Sequence, residues 1–98
     1  MVKFRIGRHI GVGDVIFTTP WAAENIGCNI FQIFLGSAQQ VLSKARQYDE
    51  LVKCGSELDA RNMIMVIHGS YTINLCHPTN SKRFKISLTS LIQDLYMY

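Results

Sequence analysis

Three short apolar runs, each followed by a stretch of mixed character, set the pattern of this chain. The first covers residues 4–10 and contains Gly7-Arg8-His9. The second, residues 29–35, is apolar on both faces except at Gln32. The third, residues 62–67, ends in Met65-Val66-Ile67 and runs directly into His68. Short, nearly continuous apolar runs predict strands covered on both faces, as in a parallel sheet. After the first run, a loop with Gly11, Gly13 and Asp14 leads to Thr19-Pro20. Thr19 is the predicted N-cap and Pro20 the first helical residue, where the fixed φ of proline suits the helix. The predicted helix covers residues 21–26 and is closed by Gly27. A longer helix from about Val15, kinked at Pro20, fits the same residues.

After the second run, residues 36–40 form a predicted loop. Residues 41–58 then carry apolar side chains at 41, 45, 48, 51, 52 and 58, a helical spacing. Gly55 weakens that helix by about 1 kcal/mol relative to alanine. After the third run, a loop over residues 74–85 with Pro78 leads to Ser87, the predicted N-cap of a last helix. That helix has Leu88, Leu91, Ile92 and Leu95 on one face. The order β-α-β-α-β-α predicts an α/β fold with parallel strands and right-handed crossovers.

Composition changes this picture in one respect. The 98 residues suit a single domain, yet 48% are hydrophobic and only 17% charged, against about 25% charged in ordinary domains. The excess implies surface that something outside the chain covers. Ten basic and seven acidic residues leave a net charge of +3. The basic residues are scattered, so charge alone does not argue for nucleic-acid binding. Cys28, Cys54 and Cys76 are odd in number and form no C-x-x-C pair, which speaks against a disulfide framework or a cysteine zinc site. Reduced, mostly buried thiols are expected. With no signal peptide and no apolar segment of membrane-spanning length, the sequence predicts a soluble intracellular protein that does not meet a membrane.

The candidate chemistry lies where the third run ends, at His68-Gly69-Ser70-Tyr71-Thr72-Ile73-Asn74-Leu75. In α/β barrels the C-terminal ends of the strands carry functional side chains. His68 therefore reads as a metal ligand or as a satisfied structural histidine, and Tyr71 as a site residue or a rim aromatic. Gln32 is expected to hydrogen-bond inside the sheet, and Trp21 to pack helix against sheet. His77 is expected to be exposed and without function.

Two stretches together carry a resemblance. One is Ile6-Gly7-Arg8-His9 followed by Ala23-Glu24-Asn25-Ile26-Gly27-Cys28-Asn29-Ile30-Phe31-Gln32-Ile33-Phe34-Leu35. The other is His68 to Leu75 with Pro78 and then Ser87. They resemble the N-terminal third of the endonuclease IV family of apurinic/apyrimidinic endonucleases. That family has a Gly-x-His strand, an Ile-Gly-small helix end, a Gln-x-Phe strand and a His-x-x-Tyr-x-x-Asn-Leu strand end. The resemblance covers essentially the whole chain. It implies a partial TIM (β/α)8 barrel of about three β-α units, with residues 1–98 as a truncated N-terminal portion. Family members bind three zinc ions at the C-terminal mouth of the barrel and cut DNA on the 5′ side of an abasic site. The resemblance makes His68 a zinc ligand and Tyr71 a DNA-binding residue. It puts His9 beside the site as a further DNA-binding residue rather than on the metal. The loop 36–40 becomes a DNA-penetrating loop, in which Gln39 stands where some relatives carry arginine.

Counting donors limits what such a chain does alone. A zinc ion takes about four ligands, and multi-metal phosphoryl sites need converging carboxylates. Of the acidic residues, only Asp14 falls in a loop at the expected barrel face. One histidine does not hold a zinc ion stably, and three strands leave two raw edges. The expectation is a chain inactive alone, marginally stable, and dependent on self-association or a complementing chain. Two other readings stay open. One is a non-catalytic interaction module that pairs with a full-length relative. The other is part of a sugar isomerase or epimerase barrel, which the His-x-x-Tyr-x-x-Asn-Leu spacing disfavours.

Overall fold

The computed structural model describes residues 4–13, 15–36 and 46–98. Three parallel strands, β1 (Gly7–His9), β2 (Ile30–Ile33) and β3 (Ile64–Ile67), form one sheet in chain order. Helices α1 (Thr19–Asn25), α2 (Tyr48–Arg61) and α3 (Lys82–Met97) follow the strands, and a 3₁₀ turn at Ile16–Thr18 precedes α1. This is the predicted α/β alternation, with strands shorter than the apolar runs. Among the described residues no helix is long and apolar enough to cross a membrane.

The register is unshifted across the sheet. Arg8, Phe31 and Met65 form one row, and His9, Gln32 and Val66 the next. Side chains alternate between faces, so the two rows look opposite ways. Phe31, Ile33 and Met65 are buried with Ile10, Ile16, Ala23, Leu35 and Cys54 between the sheet and the helices. The other face is bare: Ile64 and Val66 are 42% and 41% exposed. A shallow hollow of about 270 Å³ lies there, lined by Gly7, His9, Ile30, Gln32 and Val66 among others. Gln32 thus faces this hollow, half-buried. Among the described residues the expected two-sided covering holds for one face only, the one buried against the 3₁₀ turn, α1 and α2.

Two positions show why glycine is present. A Cβ on Gly7 would lie 1.5 Å from the Ile30 carbonyl oxygen, so only glycine lets β1 approach β2. Gly27 ends α1 at φ +80, a conformation that costs glycine little. At the base of the sheet, the Arg5 guanidinium donates to the carbonyls of Asn29 (2.9 Å) and Asn62 (2.8 Å). The Asn29 amide side chain accepts from Ile6 N–H at 2.8 Å and donates to the Phe4 carbonyl at 3.2 Å. These bonds tie the entry points of the three strands together.

Several helix boundaries differ from expectation. The Thr18 and Thr19 hydroxyls donate backwards, to Val15 and Ile16 carbonyls at 3.0 and 2.7 Å. They hold the 3₁₀ turn instead of capping α1, so the helical path starts at Ile16, close to the longer alternative. Helix α2 starts at Tyr48, after Gln47. Residues 41–45, where an earlier start was expected, lie outside the described residues. It passes through Gly55 and ends at Asn62, which takes the left-handed conformation (φ 51). Helix α3 starts one and a half turns before Ser87. Its cap is Ser81, whose hydroxyl accepts Phe84 N–H at 3.2 Å. Ser87 is buried inside the helix and accepts Asn74 N–H at 3.1 Å. The stripe of Leu88, Ile92 and Leu95 is correspondingly turned outward, with Leu95 66% exposed.

Trp21 packs helix on helix, not helix on sheet. Its indole N–H donates to Glu57 Oε2 at 2.8 Å, and its ring meets Phe17 edge-on at 5.7 Å. Lys53 lies over the other ring of that pair, 4.0 Å from the Phe17 centroid. Of the cysteines, Cys54 is buried, Cys28 half-buried and Cys76 exposed, and all are free. Burial pushes the Cys54 thiol pKa up. His77 is half-buried rather than exposed.

Three expected outcomes test this packing. Gly7→Ala forces a Cβ into backbone and should lower stability by about 2 kcal/mol or more, read as the shift of a urea unfolding midpoint. Gly55 has open space where a Cβ would go, so Gly55→Ala should raise stability by roughly 0.5–1 kcal/mol in the same assay. The Trp21 and Arg61 hydrogen bonds hold the Glu57 carboxyl below its ordinary pKa. A depressed carboxyl stabilises the fold above its unfolded pKa, and that contribution is lost as pH falls through the folded value. The lone tryptophan should therefore report a fluorescence change with a midpoint on the acid side of the ordinary glutamate range. Glu57→Gln should abolish it.

Candidate functional site

Register and alternation build the site. His9 ends β1, and Phe34 lies two residues past Gln32 on the same bare face. The backbone N–H of His68 donates to the Ile33 carbonyl at 2.8 Å, which extends the β2–β3 ladder and sets His68 beside Phe34. The strand ends thus bring together residues far apart in sequence. The Phe34 ring centroid is 4.9 Å from His9, 4.7 Å from His68 and 5.3 Å from Tyr71. His68 and Tyr71 meet edge-to-face at 5.5 Å. Tyr71 is 69% exposed, so the cluster opens to solvent on that side.

Three of the four predicted site residues, His9, His68 and Tyr71, are therefore assembled. The fourth, Gln39, lies outside the described residues, as does Asp14, the one acidic residue expected at this face. Phe34 is the member that sequence reasoning missed. The sequence marks it only as the aromatic of the Gln-x-Phe strand, Gln32-Ile33-Phe34, and gives it no role at the site.

The His68 ring carries a specific chemical feature. Its Nδ1 is hydrogen-bonded to the Gly69 carbonyl oxygen. A carbonyl only accepts, so Nδ1 is the donor of this bond, and in the neutral ring Nε2 is then the nitrogen with the lone pair. A backbone acceptor on one ring nitrogen is the usual support for a histidine that binds metal through the other.

Beneath the rings, the end of β2 is clamped. Arg46 Nε donates to the Leu35 carbonyl at 2.7 Å, and Arg46 Nη1 donates to Glu50 at 3.0 Å. The same Glu50 oxygen accepts Ile16 N–H. One ion pair thus ties the residue after Phe34 to the start of the 3₁₀ turn and to α2. On the far side, the turn after β3 is held by Asn74, whose side chain accepts Cys76 N–H at 2.9 Å.

The carboxylates go elsewhere. Glu50 serves the clamp, while Glu24 and Glu57 pair with Arg61 on the helical layer. Asp94 lies in an apolar groove of about 260 Å³ between β3 and α3, where burial raises its pKa. Among the described residues no three His, Cys, Asp or Glu side chains converge where they could hold a metal ion. The described residues therefore do not by themselves make a ligand set for zinc.

Comparison with known proteins gives this site a context. No protein-family model matches the chain. It is 58% identical over 91 residues to an endonuclease 4 of Acanthamoeba polyphaga mimivirus, a match covering 93% of this chain and 29% of that protein. It is 31% identical over 101 residues to an endonuclease 4 of Halothermothrix orenii, covering 94% of this chain and 36% of the relative. Apurinic-apyrimidinic endonuclease 1 of Saccharomyces cerevisiae is 31% identical over 97 residues, 95% of this chain and 26% of that protein. The chain spans about a third of the length of the curated relatives it matches.

Proposed function

We propose, from the premise that this chain is homologous over nine-tenths of its length to proteins named endonuclease 4 and apurinic-apyrimidinic endonuclease, that it carries the first part of a DNA-repair nuclease site. The observation that carries this reading is the convergence of His9, His68 and Tyr71 around Phe34, with His68 Nδ1 turned to the Gly69 carbonyl and Nε2 left away from it. His68 is the zinc-ligating residue of this part. Tyr71, exposed beside it, is the residue that meets DNA at an abasic site, and His9 flanks both. Gln39 takes the DNA-facing loop position. Zinc, where a full set of donors binds it, lowers the pKa of a bound water and stabilises charge on a phosphoryl oxygen. The remaining donors are not among the described residues, so the reading gives this chain binding and orienting tasks, with no hydrolysis by the chain alone.

A second reading is a non-catalytic module that pairs with a full-length relative. Its support is the bare sheet face at Ile64 and Val66 together with the outward stripe of α3.

The test is a chimera in which this chain replaces the matching third of a full-length relative. The chimera should cut duplex DNA on the 5′ side of a single abasic site, and His68→Ala within it should lower the rate by at least about a hundredfold. Equal activity with and without His68 removes the ligand assignment. Robust zinc-dependent nicking by the purified chain alone overturns the division of labour proposed for it.

A further inference from the structure

We propose that Phe34 is a positioning residue that, with Tyr71, holds the His68 imidazole in one orientation and one tautomer. The proposal rests on the reading of His68 as a metal donor, and it concerns how that donor is prepared. The Phe34, His68 and Tyr71 rings form a closed triangle, with centroid separations of 4.7, 5.3 and 5.5 Å. Two of its sides are edge-to-face, at 77° and 81°. In that arrangement the positive edge of one ring meets the negative face of another, so the rings constrain each other's rotation. A triangle locks its members in a way that a single stacked pair does not, since turning one ring disturbs both neighbours.

The Gly69 carbonyl supplies the second constraint. Its bond to Nδ1 forms only while the imidazole keeps its present rotation. Phe34 therefore acts on His68 through geometry: it keeps Nδ1 against the carbonyl and so makes Nδ1 the proton-bearing nitrogen of the neutral ring. His9 lies against the same phenyl ring at 4.9 Å, and thereby shares one rigid element with His68. Phe34 itself stays in place because the clamp from Arg46 to the Leu35 carbonyl holds the adjoining backbone.

The experiment measures the His68 tautomer directly, by ring-nitrogen NMR on the full chain without metal or DNA. In the unaltered chain Nδ1–H is expected to dominate, with cross-relaxation between the His68 and Tyr71 rings. Phe34→Leu keeps apolar volume and removes the ring. It should lower the excess of the Nδ1–H form by about threefold to tenfold, the population factor that a lost ring pair corresponds to, and weaken that cross-relaxation. Phe34→Tyr keeps the ring and should retain both. Tyr71→Leu, at an exposed position, tests the same triangle from another corner if Phe34→Leu fails to fold. An unchanged tautomer ratio in Phe34→Leu or in Tyr71→Leu overturns the proposal. Because no metal or substrate is present, these outcomes are independent of the nuclease reading. A tautomer held by Phe34 beside an inactive chimera would defeat that reading alone.

Discussion

The unshifted parallel register of three strands is the constraint on which the rest depends. Two rules follow from it. Residues in one row share a face, and successive rows alternate. His9, Gln32 and Val66 therefore look one way, while Phe31 and Met65 look the other. Carrying the same ladder two residues further brings Phe34 beside His68. A slip of one residue between β2 and β3 would send His68 to the helical side and leave the ring cluster without its centre. Gly7 belongs to this constraint as well, because the Ile30 carbonyl occupies the space that any larger residue needs.

The two faces of the sheet then have different fates. One is sealed by the 3₁₀ turn and by α1 and α2 around Ile16, Ile33 and Cys54. The other shows its apolar rows to solvent, and α3 adds an outward stripe of leucine and isoleucine. This arrangement accounts for the composition. A chain with nearly half its residues hydrophobic and few charges has more apolar surface than its described elements cover. Polar bonds join helix α3 to the body. Asn74 reaches Ser87, Tyr98 reaches the Met65 carbonyl, and Met97 accepts from Arg46.

Among the described residues, several carboxylates are committed to pairs away from the ring cluster. Glu50 is committed to Arg46 and to the backbone of Ile16, and Glu24 and Glu57 to Arg61. The rings that meet at the strand ends are imidazole, phenyl and phenol.

Local periodicity made the alternation of strands and helices legible in the sequence, along with the closing glycine of α1 and the placement of His68 at a strand end. Each of these is set by residues within one or two turns of chain, where side-chain spacing and backbone preference decide. Tertiary structure alone decided which serine caps α3, that Trp21 serves two helices, and that Phe34 joins His9, His68 and Tyr71. Ser87 has a cap's chemistry, yet the Asn74 N–H claims its hydroxyl, so the helix starts at Ser81. Glu50 and Ile16 are 34 residues apart, a separation across which no sequence period carries information. Ring contacts and long-range hydrogen bonds depend on where the folded backbone brings two groups. That placement comes from the register of strands and the packing of helices, and no single segment holds it.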